Sequence, residues 1–374
     1  MPLSIFIDAL PYSEVVENYR DWYKSAQVSL LVPNIAYSSS LHWQLYCNKY
    51  PDDRGVFLDW GKSNETNKKI KFISNLLKPL DRLEYTGLFS KKILDRLIFR
   101  KNTFANIPYR FRPYFSCKGE YLFWNEQTYL KEEIFCGYNV ISQDDGHISF
   151  DDALNKLTFV IQNTSNPKIF FNTGFPDSIG HKIPRGKDYS ATIAPYMVRL
   201  RQVIEKYLDK YPNQEVLIVS DHGMSTICNT IDLDLERHFG AQSSNTYIAY
   251  CDSCIMCIWT STLKNEIAEF LQTRSEGHLL TEEEREYYRV TDPSFGSLIF
   301  ILKEGNVFSN SWFGKSLKTS QETLGGMHGF WPLDSSLDQM ATIVLINGKR
   351  RLDKEYDYIQ ANRLINQVMQ NEVF

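Results

Sequence analysis

The sequence predicts an α/β fold: a central, mostly parallel sheet with helices on both faces and an inserted cap region. Three observations carry this. Five short β-branched and aromatic runs read as buried strands: LSIFID (3–8), QVSLLV (27–32), KIFFN (168–172), EVLIVS (215–220) and ATIVLI (341–346). Near-continuous apolar runs of this length suit strands covered on both faces. Helical periodicity lies between many of them, at 12–25, 191–210 and the C-terminal 355–371. Strands alternating with helices imply crossover connections, which stack helices on each side of a parallel sheet. The third observation is core material: 43% of the 374 residues are apolar and 52 are Phe, Trp or Tyr, which rules out a disordered chain.

Two stretches depart from the strand–helix rhythm. Residues 60–150 are rich in Lys, Arg and aromatics, and residues 226–320 hold short strand candidates at 245–250, 255–259 and 298–303 with a charged helix candidate at 281–290. Both read as insertions into one catalytic domain spanning 1–374, the first as a probable cap. No repeat, Gly/Ser linker or low-complexity tract divides the chain.

Lys plus Arg number 41 and Asp plus Glu 45, a formal net charge of -4. That balance argues against a nucleic-acid polymer as partner. Apolar runs such as LIFIL (298–302) and ATIVLI (341–346) fall far short of the roughly 20 residues of a transmembrane helix. Asp8 interrupts the short N-terminal apolar run, which also lacks a basic leader, so no signal peptide is expected. Seven cysteines without framework spacing fit a reduced, cytoplasmic location.

Chemistry-bearing residues follow the strands. LSIFI ends in Asp8, KIFFN is followed by Asp177 and His181, and EVLIVS by Asp221 and His222. In an open parallel sheet the strand carboxyl ends share one edge, where ligands bind. His328, in GGMHGFWP, is a plausible sixth member. Any one of these has an ordinary reading: an Asp after a strand is often an N-cap, and an isolated His is often structural. Together, three carboxylates and three imidazoles suit a pair of divalent metal ions, with zinc the leading candidate and manganese the alternative. Two such ions would clamp the attacking and leaving oxygens of a phosphoryl transfer.

SDHGM (220–224) after VLIV resembles the signature of the alkaline phosphatase superfamily, and more narrowly its nucleotide pyrophosphatase/phosphodiesterase branch. PDSIGHK (176–182) is similar to that branch's PDxxGH element, GMHG to its late metal-binding His, and the strand ending in Asp8 to its first metal ligand. Counting back from Tyr50-Pro51 in YSSSLHWQLYCNKYPDDRG places the branch's nucleophile at Ser38, with Ser39 and Ser40 the alternatives if the alignment slips. The resemblance implies an alkaline phosphatase-like fold with one metal held by Asp8, Asp221, His222 and Ser38. It gives the other metal Asp177, His181 and His328. It implies hydrolysis of a phosphodiester or diphosphate bond, in a nucleotide- or sugar-diphosphate-like small molecule, through a phosphoseryl intermediate. A phosphomonoesterase or phosphonate hydrolase on the same site is the alternative, with a non-catalytic binding protein behind it. Ser38 also precedes LHWQLYCNK, which reads as a helix, and a helix N-terminus is a natural place for a phosphate.

The sequence departs from the branch at two positions. The Gly ten residues after the nucleophile is Asn48, and the phosphate-donating Asn about 21 residues after it is Asp59, with Lys62 and Asn64 nearby as substitutes. A carboxylate there would repel phosphate unless protonated or facing a cation. Elsewhere, Arg100, Lys101, Arg110 and Arg112 interleave with aromatics in 99–115, as a substrate cleft or, more ordinarily, a solvated basic face. Cys251, Cys254 and Cys257 lie in an apolar setting and read as buried free thiols. His42 lies one helical turn from Ser38, within reach of the site, whereas His147, His238 and His278 read as surface residues.

Overall fold

The five apolar runs form strands, and two short strands join them. In chain order they are β1 (Leu3–Ile7), β2 (Gln27–Leu31), β3 (Asn139–Ser142), β4 (Ile169–Thr173), β5 (Val216–Val219), β6 (Ala341–Ile346) and β7 (Glu355–Tyr356). This computed structural model describes residues 2–63, 68–82, 107–117, 128–143, 148–309 and 325–370, together with Ile93. The chain divides into two compact units, one built from 1–49, 124–227 and 324–374 and the other from 50–123 and 228–323.

The first unit is the α/β layer. Its sheet runs β7–β2–β6–β5–β1–β4–β3. β1 pairs in parallel with β4 and β5, β3 with β4, and β7 with β2. β6 alone runs against its neighbours β2 and β5. The sequence reading of a mostly parallel sheet therefore holds, with β6 the exception. Because β6 is reversed, its first residue Ala341 pairs with Leu31, the last of β2. Residues that precede β6 thus reach the edge that residues following β1, β4 and β5 also reach.

Helices cover both faces. In chain order they are α1 (Tyr12–Asn18), α2 (Ser38–Cys47), α3 (Phe150–Asn163), α4 (Phe175–Gly180), α5 (Lys187–Lys210) and α6 (Tyr358–Gln370). Side chains of a strand alternate between faces. Leu3, Ile5 and Ile7 of β1 enter a core with Leu157 of α3 and Leu200 and Ile204 of α5. Phe6 points the other way and meets the rings of His42 and Tyr46 on α2, at 4.4 and 6.1 Å. α6 packs beside α2, where the buried Asn362 donates its amide to the Leu45 carbonyl at 2.7 Å. α1 stops at Asn18 rather than continuing to 25. The aromatics that gave the helical spacing are spent in turns instead: Trp22 packs edge-on against Tyr19 at 4.7 Å, and Trp22 and Tyr23 lie on the core.

The second unit carries an antiparallel sheet in the order Tyr247–Asp252, Ile255–Thr260, Leu298–Leu302 and Gly277–Leu279. The charged segment forms the helix Glu282–Tyr288, opened by a capping box between Thr281 and Glu284. Cys251, Cys254 and Cys257 are buried and outside any disulfide, as their apolar neighbours implied. Asp252 is buried, accepts the Tyr250 hydroxyl at 3.0 Å and lies close to Asp59. Arg110 pairs with Glu236 at 3.1 Å, and Arg112 stacks over Trp60 at 4.3 Å. His238 is exposed, while His278 is half-buried against Glu284 at 2.7 Å. Arg100, Lys101, Asn64 and His147 lie outside the described residues. Among those described, no helix is long and apolar enough to cross a membrane.

Candidate metal centre

Each residue of SDHG has a structural task at the end of β5. Ser220 accepts the Leu10 N–H at 2.8 Å and donates to the His222 carbonyl at 2.7 Å, tying the turn after β1 to the turn after β5. Asp221 is fully buried. Its Oδ1 accepts the backbone N–H groups of His222 at 3.0 Å and Ala9 at 3.4 Å. Ala9 reaches it from the left-handed region, φ 57°, a conformation that costs a non-glycine residue about 1 kcal/mol. Gly223 must lack a side chain, since a Cβ there would lie 2.0 Å from the Asp338 carbonyl oxygen.

The PDSIGH segment builds α4. Pro176 opens it, where the missing N–H costs nothing. Asp177 and His181 sit one turn apart on one face, with Oδ1 and Nε2 separated by 3.2 Å. Gly180 faces Met224 of the SDHGM turn, and a Cβ there would meet its Cγ at 2.5 Å. The short pairing of Gly326–Met327 with Ser225–Thr226 delivers His328 from the segment preceding β6.

Ser38 is the first residue of α2, with Tyr37 as N-cap, so it stands at the positive end of a ten-residue helix. The same helix ends on Asn48 in the left-handed conformation, φ 53° and ψ 32°, its N–H bonded to the Trp43 carbonyl. That conformation suits Gly first and Asn second. The replacement of Gly by Asn48 therefore leaves the turn intact.

All seven predicted residues, Asp8, Ser38, Asp177, His181, Asp221, His222 and His328, gather at this edge. Ser38 Oγ lies 2.9 Å from His222 Nε2 and 3.4 Å from Asp8 Oδ1. His222 Nε2 is also 3.4 Å from Asp8 Oδ1 and 3.3 Å from Asp221 Oδ2. Asp177 Oδ1 has His181 Nε2 at 3.2 Å and His328 Nε2 at 3.7 Å. The rings of His222 and His328 stack at 3.7 Å, joining the two groups.

The hydrogen-bond pattern shows what this arrangement lacks. His222 Nδ1 is 2.8 Å from the Gly223 carbonyl and His181 Nδ1 is 3.0 Å from the Gly326 carbonyl. A carbonyl only accepts, so each Nδ1 carries a proton, and a ring without a second proton turns an Nε2 lone pair towards a carboxylate. The oxygens they face, Asp221 Oδ2 and Asp177 Oδ1, are buried and receive no hydrogen bond. Where those rings are neutral, lone pairs face lone pairs at two places, and a proton or a metal cation between them relieves this. The donors are carboxylate oxygen and imidazole nitrogen, as divalent zinc or manganese requires, and the residues fit two such ions. Burial opposes ionisation of Asp221, but His222, His42 and the Ala9 N–H outweigh it and hold the acid below its usual range. Burial also opposes a proton on His181, yet Asp177 raises its affinity for one. His328 is kept neutral by burial and by the neighbouring imidazoles of His222 and His181.

Two further residues belong here. His42 Nε2 lies 3.5 Å from Asp221 Oδ2. Its spacing from Ser38, one helical turn, signals it in the sequence. Tyr358, at the start of α6, donates its hydroxyl to the Asp221 carbonyl, and no local pattern announces it.

The α/β fold is similar to that of solved nucleotide pyrophosphatase/phosphodiesterase structures. Human ectonucleotide pyrophosphatase/phosphodiesterase 5 superposes with a TM-score of 0.64 at 13% identity, over 99% of this chain and 95% of that one. The murine protein gives 0.62 at 13% identity, over 99% and 95%. An inactive murine variant in complex with AMP gives 0.62 at 14%, over 98% and 94%. At such identities the likeness is one of fold. No protein-family model and no curated protein matches the sequence.

Proposed function

We propose that this protein is a metal-dependent hydrolase that cleaves a phosphodiester or diphosphate bond in a nucleotide-like small molecule, with Ser38 as nucleophile. The observation that carries the reading is the position of Ser38 Oγ, at a helix N-terminus, 2.9 Å from His222 and 3.4 Å from Asp8. Asp8, Asp221 and His222, with Ser38, would hold one divalent ion, and Asp177, His181 and His328 the other. Such ions supply Lewis-acid stabilisation of charge on phosphoryl oxygens and lower the pKa of a bound hydroxyl. The chain supplies orientation. Ser220 and Tyr358 fix the Asp221–His222 turn, and the Gly223 and Gly326 carbonyls set the tautomers of His222 and His181. Ser38, fixed on the first turn of α2, gives up its proton to solvent and attacks phosphorus. The ester or anhydride P–O bond breaks and its oxygen departs with a proton. Water then hydrolyses the phosphoseryl intermediate, releasing phosphate product and returning a proton to Ser38. The AMP complex of the murine neighbour supports a nucleotide-like substrate.

A second reading, a phosphomonoesterase on the same site, draws on Asp59. At the position counted for the phosphate-donating Asn, the second unit holds a carboxylate beside Asp252 instead of an amide. Turnover of bis-p-nitrophenyl phosphate against p-nitrophenyl phosphate separates the two, on zinc-loaded and on chelator-stripped protein. A diester preference lost on stripping supports the first reading. A monoester preference replaces it with the second, and activity that survives complete stripping sinks both.

A further inference from the structure

We propose that His42 is a positioning residue of the first metal site: it donates Nε2–H to Oδ2 of Asp221 and fixes the direction in which that carboxylate presents itself to the ion. The inference rests on the two-metal reading above and adds a group to it.

Asp8, His42 and Asp221 each offer a donor atom within 4.8 Å of the others. His42 could therefore be a ligand or a partner of a ligand, and three observations favour the partner. The first is number. Asp8, Asp221, His222 and Ser38 already make four donors, the count that zinc takes, and His42 would be a fifth. The second is the state of Asp221. Its Oδ1 is satisfied by two backbone N–H groups, whereas its buried Oδ2 receives no hydrogen bond and has His42 Nε2 3.5 Å away. That separation is a few tenths of an ångström beyond an ordinary N–H···O bond, and a small movement of the carboxylate closes it. The third is rigidity. His42 is 1% exposed, with the Phe6 ring edge-on at 4.4 Å and the Tyr129 ring at 5.1 Å. A ring held in this way can set the angle of a carboxylate, and ligating carboxylates are themselves commonly hydrogen-bonded. α2 thus carries two groups aimed at one ion, Ser38 directly and His42 through Asp221.

The test uses the full chain, stripped and reloaded with Zn²⁺ or Co²⁺, with each site's affinity read by competition against a chelating dye. His42→Phe keeps a ring and removes the donor. It should weaken one of the two sites by about 10–100-fold and leave the other within threefold, with the Co²⁺ visible spectrum unchanged at saturation. His42→Gln, which keeps an N–H, should recover most of the loss. Should the Phe variant fail to fold, His42→Ala with added imidazole answers the same question. Imidazole should restore affinity, whereas 1-methylimidazole, which can ligate but cannot donate, should not. Two sites of wild-type affinity in the Phe variant would overturn the proposal. So would rescue by 1-methylimidazole or a changed Co²⁺ spectrum, either of which makes His42 a ligand. Wild-type protein that binds fewer than two equivalents would sink the two-metal reading itself, which the wild-type titration reveals before any variant is made.

Discussion

Buried acids occur in both units, and the two units treat them oppositely. In the first, Asp221 faces the imidazoles of His222 and His42 and is held ionised although fully buried. In the second, Asp252 has the carboxylate Asp59 as a neighbour and the Tyr250 hydroxyl as a donor, and burial with that like charge pushes it up to about 8. Burial is common to both; the neighbours decide the sign. Imidazole neighbours therefore leave a buried carboxylate ionised and able to hold a metal ion, whereas a carboxylate neighbour keeps the proton on. A third acid shows a further solution. Glu14 is fully buried and accepts the Arg185 guanidinium at 2.7 Å and the Ser190 hydroxyl at 2.7 Å. There the cation is part of the chain.

The largest expected effect tests the first arrangement. Ser38→Ala leaves every carboxylate and imidazole in place, so both ions should stay bound while turnover falls on the order of 10⁵-fold. Metal content and rate are measured on the same sample, and full activity in this variant would refute Ser38 as nucleophile.

Arg185→Met comes next. It leaves Glu14 buried without its cation, which should cost about 3–5 kcal/mol by denaturant titration. A loss under 1 kcal/mol would show that Ser190 and the surrounding dipoles suffice.

Asp252→Asn addresses the second unit. An acid whose folded-state pKa lies above its unfolded value contributes its stability in full below about pH 4. It loses that contribution as the pH rises towards its folded value of about 8. The amide should therefore raise stability by roughly 1–3 kcal/mol at pH 9 and make little difference at pH 4. Unfolding midpoints at the two pH values measure this, and an unchanged pH slope would show that Asp252 is ionised throughout.

Asn48 gives the smallest expected change. Asn48→Gly should be neutral within a few tenths of a kcal/mol and Asn48→Val should cost about 1–2 kcal/mol, because a branched residue is strained at this φ. Equal melting temperatures for the two would remove the left-handed turn as the reason for Asn.

Much of the first unit was legible in the sequence because its signals are local. Apolar runs marked the strands, and an acid following β1, β4 and β5 marked the edge. His328 was harder, since it precedes its strand; only the glycines around it and the resemblance drew attention to it. The reversal of β6 that makes this possible has no sequence signature, because a buried strand reads the same in either direction. Tyr358 was invisible for a different reason: it acts through a backbone carbonyl far away in the chain. Asn48 read as a departure in sequence, yet its backbone angles are those a Gly would supply. Asp59 remained a departure, because its neighbours Tyr250 and Asp252 come from another part of the chain.

The reversed strand also governs how the protein is made. β6 lies between β2 and β5, so among the described strands it joins the β7–β2 pair to the rest of the sheet by hydrogen bonds. It is nonetheless among the last strands to leave the ribosome, after both segments of the second unit have been synthesised. Until then β2 has no partner for its inner edge. Closing so distant a pairing is slow and exposes apolar edges to other chains while it waits. A nascent chain that has already displayed Asp8, Ser38, Asp177 and Asp221 therefore completes the sheet that gathers them only when β6 inserts.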